Sequence, residues 1–224
     1  MTVTQASINS HLNGFRLEPY LEQMQRWPFQ GRHILAHYDE SSITVYQAYN
    51  AQIGRYAVEH QTFGEGFSYS RMSWIKPNFL WMMYRSGWAT KENQEVVLAI
   101  TLSRVFFDEL LEMAVESSFR KDSFPTQEAW KQKLKGSQVR LQWDPDHDPQ
   151  GGKVERRALQ IGIRGQMLER YAQEGIQKIC DITPFVQEMS LKKDCAGYEE
   201  LLLPQERLYM PASMRARSNA RIDE

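Results

Sequence analysis

The chain has 224 residues, of which 42% are hydrophobic and 25% are charged, and its formal net charge at pH 7 is −1. A chain of this length buries enough apolar surface to fold as one domain without disulfides or metals. A charge so close to zero excludes bulk attraction to nucleic acids or membranes, so any basic surface has to be local. The two cysteines, Cys180 and Cys195, have no partner at a metal-binding spacing, which disfavours a zinc site and a disulfide framework.

The ends of the chain carry no pattern typical of a targeting or membrane segment. The start, MTVTQASINS, lacks the basic residues and apolar run of a signal peptide, and the longest apolar stretch, residues 79–83, is far shorter than the roughly 20 residues that span a bilayer. We therefore expect a soluble, cytoplasmic protein with no membrane partner. We divide it into an N-terminal extension (1–31), a single globular domain (32–209) and a basic, flexible C-terminal tail (210–224).

The first half of the domain alternates predicted strands and helices. Two β-branched runs, HILAHYD and ITVYQAYN, are joined by a short polar turn and predict a hairpin. The segment AQIGRYAVEHQT predicts a helix, and glycines at 64 and 66 then predict a loop. The continuous apolar run QEVVLAITLSR predicts a buried strand.

The second half continues in the same way. Helices are predicted for VFFDELLEMAVESS, QEAWKQKLK and GQMLERYAQEG. Strands are predicted for VRLQW, RALQIGIR and IQKICDITPFV. The predicted fold class is α+β, a single mixed α/β domain with a mainly antiparallel sheet.

The segment DPDHDPQGGK predicts a loop rich in carboxylates. Its aspartates and His147 are side chains that a hard cation could use as ligands. The glycine and distal glutamate of a calcium loop are missing, so we predict a solvated acidic turn and no metal.

Residues 70–88, SRMSWIKPNFLWMMYRSGW, contain three of the six tryptophans of the chain. Pro77 and Gly87 mark the two ends of a short helix over residues 78–86. The apolar residues 79–83 point in nearly every direction around that helix, which is typical of an element buried on all sides. The alternative, that these residues form the wall of a binding site, stays open.

Three cations, Arg71, Lys76 and Arg85, flank this helix. Burying an isolated charge costs several kcal/mol, so we expect these side chains to face water, a carboxylate or an anionic ligand. Trp74 and Trp88 lie beside them in the sequence, and cations next to aromatic faces suit a base or nicotinamide ring and its phosphates. A structural role at helix ends and in surface ion pairs is an equal alternative.

Five segments resemble a known family. RHILAHYD, ITVYQAYN, RMSWIKPNFLWMMYRSGW, VRLQWDPDHD and RRALQIGIRG are similar to the domain of unknown function 4291 family of bacteria and fungi, from about residue 32 to about residue 209. That family has no assigned activity, so the resemblance implies no functional residue.

The order of the predicted elements also resembles, more distantly, that of ADP-ribosyltransferases. In those enzymes a strand carries an Arg or His that holds NAD, a helix follows, a loop with Ser-x-Ser or a Tyr lines the nicotinamide pocket, and a later strand carries a catalytic Glu. The resemblance places Gln47 and Gln160 at the two catalytic positions. Both depart from the family pattern, because a neutral amide orients a hydroxyl group but supplies no negative charge. Glu155 and Glu169 are alternatives for the missing carboxylate.

The resemblance implies a nucleotide-binding enzyme of ADP-ribosyltransferase-like type and fold that acts on NAD or a related nucleotide. Its predicted catalytic residues are Gln47 and Gln160. Its predicted substrate-binding residues are Tyr46, Tyr49, Ser68, Tyr69, Ser70, Arg71, Trp74, Lys76 and Arg85. The alternative is a non-catalytic module that binds nucleic acid or a modified base through the Trp and Arg cluster, and a nucleic acid is also an alternative acceptor for the enzyme. No oligomeric state is predicted.

Overall fold

The computed structural model describes residues 15–223, in which helices and strands alternate along the chain. The helices α1 to α8 of this part are Tyr20–Met24, Ala51–His60, Phe79–Ser86, Arg104–Met113, Gln127–Gly136, Gln166–Arg170, Thr183–Lys192 and Met214–Ala220. The strands β1 to β12 are Leu17–Pro19, Gly31–Arg32, Leu35–Ala36, Ser42–Tyr49, Ser73–Ile75, Val96–Ser103, Val115–Glu116, Val139–His147, Lys153–Ile163, Ile176–Asp181, Leu202–Pro204 and Arg207–Leu208. A π-helical turn, Tyr171–Gly175, continues α6.

Two mainly antiparallel sheets form the frame of the molecule. The first has three strands in the order β10-β6-β4, all antiparallel. The second has the order β2-β9-β8-β7, and β5 pairs with the far end of β9. Its long β8–β9 hairpin and the β5–β9 pair are antiparallel, whereas the short β2 and β7 pair in parallel. These sheets and the surrounding helices confirm the predicted α+β class.

The two sheets meet at a single backbone bridge between β4 and the residue after β5. The Tyr46 amide donates to the Lys76 carbonyl at 2.7 Å, and the Lys76 amide donates to the Tyr46 carbonyl at 3.2 Å. This bridge brings the end of β4 next to β5, where the candidate site lies.

The three-stranded sheet is covered by a hydrophobic cluster on each face. Ile43 and Val45 of β4 lie in one cluster, together with side chains of α4, whereas Tyr46 lies in the other, together with side chains of α3 and α7. Successive side chains of a strand point to opposite faces, and the apolar side chains of β6 are divided between the two clusters in this way. This arrangement confirms the prediction that β6 is a buried strand.

Helix α3 also follows the sequence prediction. Asn78 is its N-cap and accepts the amide of Trp81 at 2.7 Å, and Gly87 ends it in the left-handed conformation with φ of 58°. The side chains of residues 79–83 are all 5% exposed or less. The core interpretation of this helix is therefore confirmed.

The predicted hairpin between HILAHYD and ITVYQAYN is confirmed only next to its turn. Strand β3 pairs with β12 near the other end of the chain, and β4 pairs with β6 along its whole length. A bridge between Tyr38 and Ile43 is what remains of the predicted pairing. The Thr44 amide donates to the His37 carbonyl at 2.8 Å, so β4 pairs with the segment before the turn on one edge and with β6 along its whole length on the other.

The acidic run DPDH is not a solvated turn, because it continues β8. Asp146 is 1% exposed, and its carboxylate forms an ion pair with the Arg156 guanidinium at 2.7 Å. His147 is equally enclosed and stacks on the ring of Tyr84 with centroids 3.6 Å apart. Because the compensating arginine comes from the partner strand β9, the acidic run by itself does not reveal that it is buried.

The last predicted strand is also too long. Strand β10 ends at Asp181, and α7 begins at Thr183, whose amide donates to the Asp181 carboxylate at 2.8 Å. Pro184 occupies the first turn of α7, where a missing N–H costs no hydrogen bond.

Both terminal segments contact the core where they are described. Of the predicted extension, residues 1–14 lie outside the described residues. The following residues include β1 and α1, and Tyr20 of α1 is buried in the hydrophobic cluster that contains Tyr46. The segment predicted as a flexible tail contains α8, which packs against α4 and buries Ala216 and Ala220 completely. Small residues four positions apart allow this close approach without a large apolar side chain, so apolar periodicity is weak there.

In the part of the chain that is described, no helix has the length and the apolar character needed to cross a membrane.

We expect Asn78→Ala to destabilise the protein more than Thr126→Ala does. Both residues are N-caps, and the loss of a cap costs about 0.5–2 kcal/mol. Asn78 is buried and also donates its side-chain amide to the Glu206 carboxyl group at 3.3 Å, whereas Thr126 caps the largely exposed α5. Chemical denaturation of both variants measures the two losses, and equal losses would contradict this account of the cap.

Candidate functional site

A cleft of about 600 Å³ lies where the two sheets meet. Its walls come from the end of β4, the start of α2, the loop before β5, β5 itself, Met82 of α3 and the loop residues 93–94. Six of the residues predicted from the sequence line it: Gln47, Tyr49, Ser68, Arg71, Trp74 and Lys76. The cleft is therefore the place where most of the predicted site residues come together.

Gln47 lies at the inner end of the cleft and is the centre of a polar network. Its side-chain amide donates to the hydroxyl oxygens of Ser73 at 2.7 Å and Tyr49 at 2.8 Å, and these two hydroxyls are themselves 2.8 Å apart. The Tyr171 hydroxyl donates to the Gln47 carbonyl oxygen at 2.8 Å. Burial raises the pKa values of Tyr49 and Tyr171, so both phenols stay protonated at neutral pH. The network is neutral and fixes the orientation of each member.

Lys76 lies beside this network and is the one buried lysine of residues 15–223, with 7% of its surface exposed. Its ammonium nitrogen lies 3.4 Å from the Trp74 carbonyl oxygen, which the Gln47 amide also approaches at 3.3 Å. It forms no ion pair with a described residue. Lys76 is thus buried without an ion pair to a described residue but lines the open cleft, so the expectation that it faces an anionic ligand stays a prediction.

The environment of Lys76 explains how this burial is tolerated. Burial and, to a smaller extent, the nearby Arg85 guanidinium lower the pKa of its amine, the Asp144 carboxylate raises it, and the pKa comes to about 7. An amine with this pKa is close to half neutral at pH 7, which reduces the cost of desolvation.

Gln160 lies outside the cleft, on the adjoining face of the second sheet. The last residue pair between the antiparallel strands β5 and β9 is Ile75 and Ile161. One residue further along each strand, Lys76 and Gln160 lie opposite each other in the same register. The Gln160 amide donates to one oxygen of Asp144 at 2.6 Å, and the Gln142 amide donates to the other at 2.8 Å. Gln47 and Gln160 are thus on opposite sides of Lys76, and Gln160 holds a carboxylate.

Arg71 and Trp74 form the outer part of the cleft. Arg71 is exposed and forms no ion pair with any residue between 15 and 223. Trp74 is half-buried, and its indole lies close to Gly162, where any added side chain would meet it. The cleft thus combines a free guanidinium with an aromatic face.

Four other predicted residues lie apart from the cleft. Tyr46 is fully buried against Phe79, with ring centroids 5.4 Å apart. The Tyr69 hydroxyl donates to the Phe63 carbonyl at 2.8 Å, and the Ser70 hydroxyl contacts that of Ser68. Arg85 is exposed on α3, where its guanidinium lies 5.9 Å from the centre of the Trp81 ring.

Ser73, Tyr171 and Asp144 belong to this arrangement but are missing from the predicted site. Ser73 follows the predicted Ser-x-Ser loop by three residues, and its position at the start of β5 is the only local signal for it. Tyr171 is 124 residues from Gln47, so no local pattern indicates their contact. Asp144 is in the acidic run, where its spacing suggests a metal ligand or a turn.

A second cleft, of about 1090 Å³, is lined by parts of α4, α5, α6 and α8 and by none of the predicted residues. Two of its cations, Arg170 and Arg221, already form ion pairs with Glu109 at 2.7 Å and Asp122 at 2.6 Å. We therefore take the smaller cleft as the candidate site. Among residues 15–223, no three His, Cys, Asp or Glu side chains are grouped so that they could hold a metal ion.

We expect Gln47→Leu to lower the free energy of unfolding by about 1–3 kcal/mol, because it leaves buried hydroxyl groups without a partner. Gln52→Leu is the matched control, since Gln52 is exposed on α2 and bonds only to Glu65. Thermal unfolding of both variants checks this, and the same midpoint for both would mean that the network contributes nothing.

A comparison with models of protein families gives a match. The model of a domain of unknown function, DUF4291, matches residues 33–209. This range contains strands β3 to β12 and all residues that line the cleft. A comparison with curated proteins finds no match. The first resemblance drawn from the sequence is therefore confirmed, and the chain belongs to the DUF4291 family of domains of unknown function.

Proposed function

We propose that the cleft binds NAD or a related nucleotide and that the chain is a nucleotide-dependent transferase of ADP-ribosyltransferase-like type. The observation that carries this proposal is the convergence of Lys76, Arg71 and Trp74 on one cleft. Neither cation forms an ion pair with a described residue, so both are available for the phosphates of a ligand. The Trp74 indole offers a face on which a base or a nicotinamide ring stacks.

The size and lining of the cleft support this ligand class. Its volume of about 600 Å³ falls within the range of about 300–1,000 Å³ that is typical of small-molecule sites. The hydroxyl groups of Tyr49 and Ser73, which Gln47 holds in place, are donors and acceptors for a ribose.

Transfer of ADP-ribose breaks the bond between the ribose and nicotinamide, and the ribose acquires positive charge as nicotinamide leaves. A carboxylate stabilises that charge, and neither Gln47 nor Gln160 supplies one. No Asp or Glu is among the described residues that line the cleft, so we assign this role to Asp144, which acts on Lys76 from beside the cleft and has Gln142 and Gln160 as its positioning residues. The acceptor then forms the new bond to the ribose carbon.

The nucleic-acid alternative has less support. A single strand needs several accessible aromatic faces, because each stacked base contributes about 1–3 kcal/mol. Trp81 and Trp88 are only 5% and 6% exposed, so Trp74 is the one tryptophan of residues 70–88 that lines the cleft. A short single-stranded RNA serves as the comparison ligand in the binding experiment.

We expect Lys76→Met to weaken ADP-ribose binding by about 10- to 150-fold, because a lost charge-assisted hydrogen bond costs about 1.5–3 kcal/mol. In the unmodified protein, affinity should fall between about pH 6 and about pH 8.5, since the Lys76 amine loses its proton over this range and the bound phosphate favours the charged form. The charged groups that act on the Lys76 amine are Arg85 and Asp144. Isothermal titration calorimetry at several pH values measures both effects.

The control is Lys131→Met, which removes an exposed lysine of α5 and should leave binding unchanged. The pH dependence should disappear in Lys76→Met, since ADP-ribose carries a constant charge in this range. Binding of RNA that depends on Trp74, with no binding of NAD or ADP-ribose, would replace this proposal with the nucleic-acid module.

We expect Asp144→Asn to reduce the release of nicotinamide from NAD by about 100-fold or more, because it removes the charge that stabilises the transition state. Affinity for ADP-ribose should change by no more than about twofold, since the carboxylate acts on the developing charge. Liquid chromatography of nicotinamide measures the rate. Asp122→Asn, at an exposed surface ion pair, is the control, and unchanged release by Asp144→Asn would remove Asp144 from the mechanism.

A further inference from the structure

Lys76 differs chemically from the other lysines between residues 15 and 223. Its side chain is buried, lines an open cleft, and has one hydrogen-bond acceptor within reach, the Trp74 carbonyl. The bridge to Tyr46 fixes the backbone N–H and carbonyl groups of Lys76, and its amine lies 3.4 Å from the Trp74 carbonyl oxygen. A desolvated amine beside a cavity is suited to act as a nucleophile.

We propose that Lys76 is a nucleophilic amine that forms an imine with an anionic aldehyde or ketone bound in the cleft. The nitrogen lone pair attacks the carbonyl carbon, and a proton passes from nitrogen to oxygen to give a carbinolamine. The carbon–oxygen bond then breaks, water leaves, and a carbon–nitrogen double bond joins the ligand to Lys76. The sequence needs no oxidant or reductant, and addition of water reverses it.

The surroundings of Lys76 favour the neutral form that this reaction requires. Burial and the Arg85 guanidinium both lower the pKa of the amine, which comes to about 7. An ordinary lysine is well under 1% neutral at pH 7, because its pKa is near 10.4. The Asp144 carboxylate favours the charged form of the amine, but both of its oxygens already accept amide hydrogen bonds, which reduces its attraction for Lys76.

The rest of the cleft indicates the class of ligand. Arg71 is a free cation at the outer part of the cleft, and it suits a phosphate or carboxylate group on the same molecule. Trp74 suits a flat or ring-shaped body between that anion and the carbonyl group. The inference uses the same cleft as the proposed function but does not require a nucleotide, because the charged amine binds phosphate and the neutral amine attacks a carbonyl.

Pyridoxal 5′-phosphate is a suitable probe, since it combines an aldehyde, an aromatic ring and a phosphate. The full chain is incubated with it at several pH values, the imine is reduced with borohydride, and the labelled peptide is identified by mass spectrometry. We expect labelling of Lys76 at least about tenfold faster than labelling of Lys131, with a rise in rate through about pH 7. Lys131→Met should leave the labelling of Lys76 unchanged.

Mapping on the unmodified protein keeps the test independent of how well a Lys76 variant folds. Labelling spread over exposed lysines with Lys76 unlabelled would overturn the inference. ADP-ribose binding is measured on an untreated portion of the same preparation, which separates the two proposals. Labelled Lys76 without ADP-ribose binding supports the imine and rejects the nucleotide, whereas ADP-ribose binding with unlabelled Lys76 does the reverse.

Discussion

The backbone bridge between Tyr46 and Lys76 is the contact on which the candidate site depends. It joins β4 of the three-stranded sheet to the strand β5 that pairs with β9 of the other sheet. Side chains alternate along a strand, so when Tyr46 enters the core against Phe79, the next residue, Gln47, faces the cleft. The same bridge holds Lys76 at the cleft, and the two polar groups approach one carbonyl oxygen.

Burial, more than residue type, decides the chemistry available at this position. A lysine at the surface is a hydrated cation, whereas at Lys76 desolvation outweighs the favourable charge of Asp144 and lowers the pKa of the amine to about 7. A lysine pKa lowered this far costs several kcal/mol of folding free energy at neutral pH. Groups with such perturbed pKa values in clefts are candidates for function.

The aromatic segment, residues 70–88, combines the two interpretations that its sequence left open. Helix α3 is core, because its apolar residues 79–83 fill the space between the three-stranded sheet and its neighbours. The part before Pro77 lines the cleft and supplies Arg71, Ser73, Trp74 and Lys76. Pro77 and the N-cap Asn78 divide the two parts, since an extended strand ends there and a helix begins.

The sequence by itself determined the α+β class, most helices and strands, the limits of α3 and six of the sixteen described residues that line the cleft. Those features depend on patterns formed by residues close together in the chain, such as the alternation of apolar residues, helix-capping side chains and glycines at turns. The tertiary structure decided which strands pair, that the acidic run continues β8, and that Tyr171 and Ser73 hold Gln47. It also decided that Lys76 is buried and that Gln160 orients Asp144. Pairing and desolvation depend on residues far apart in the chain, so no local pattern contains them.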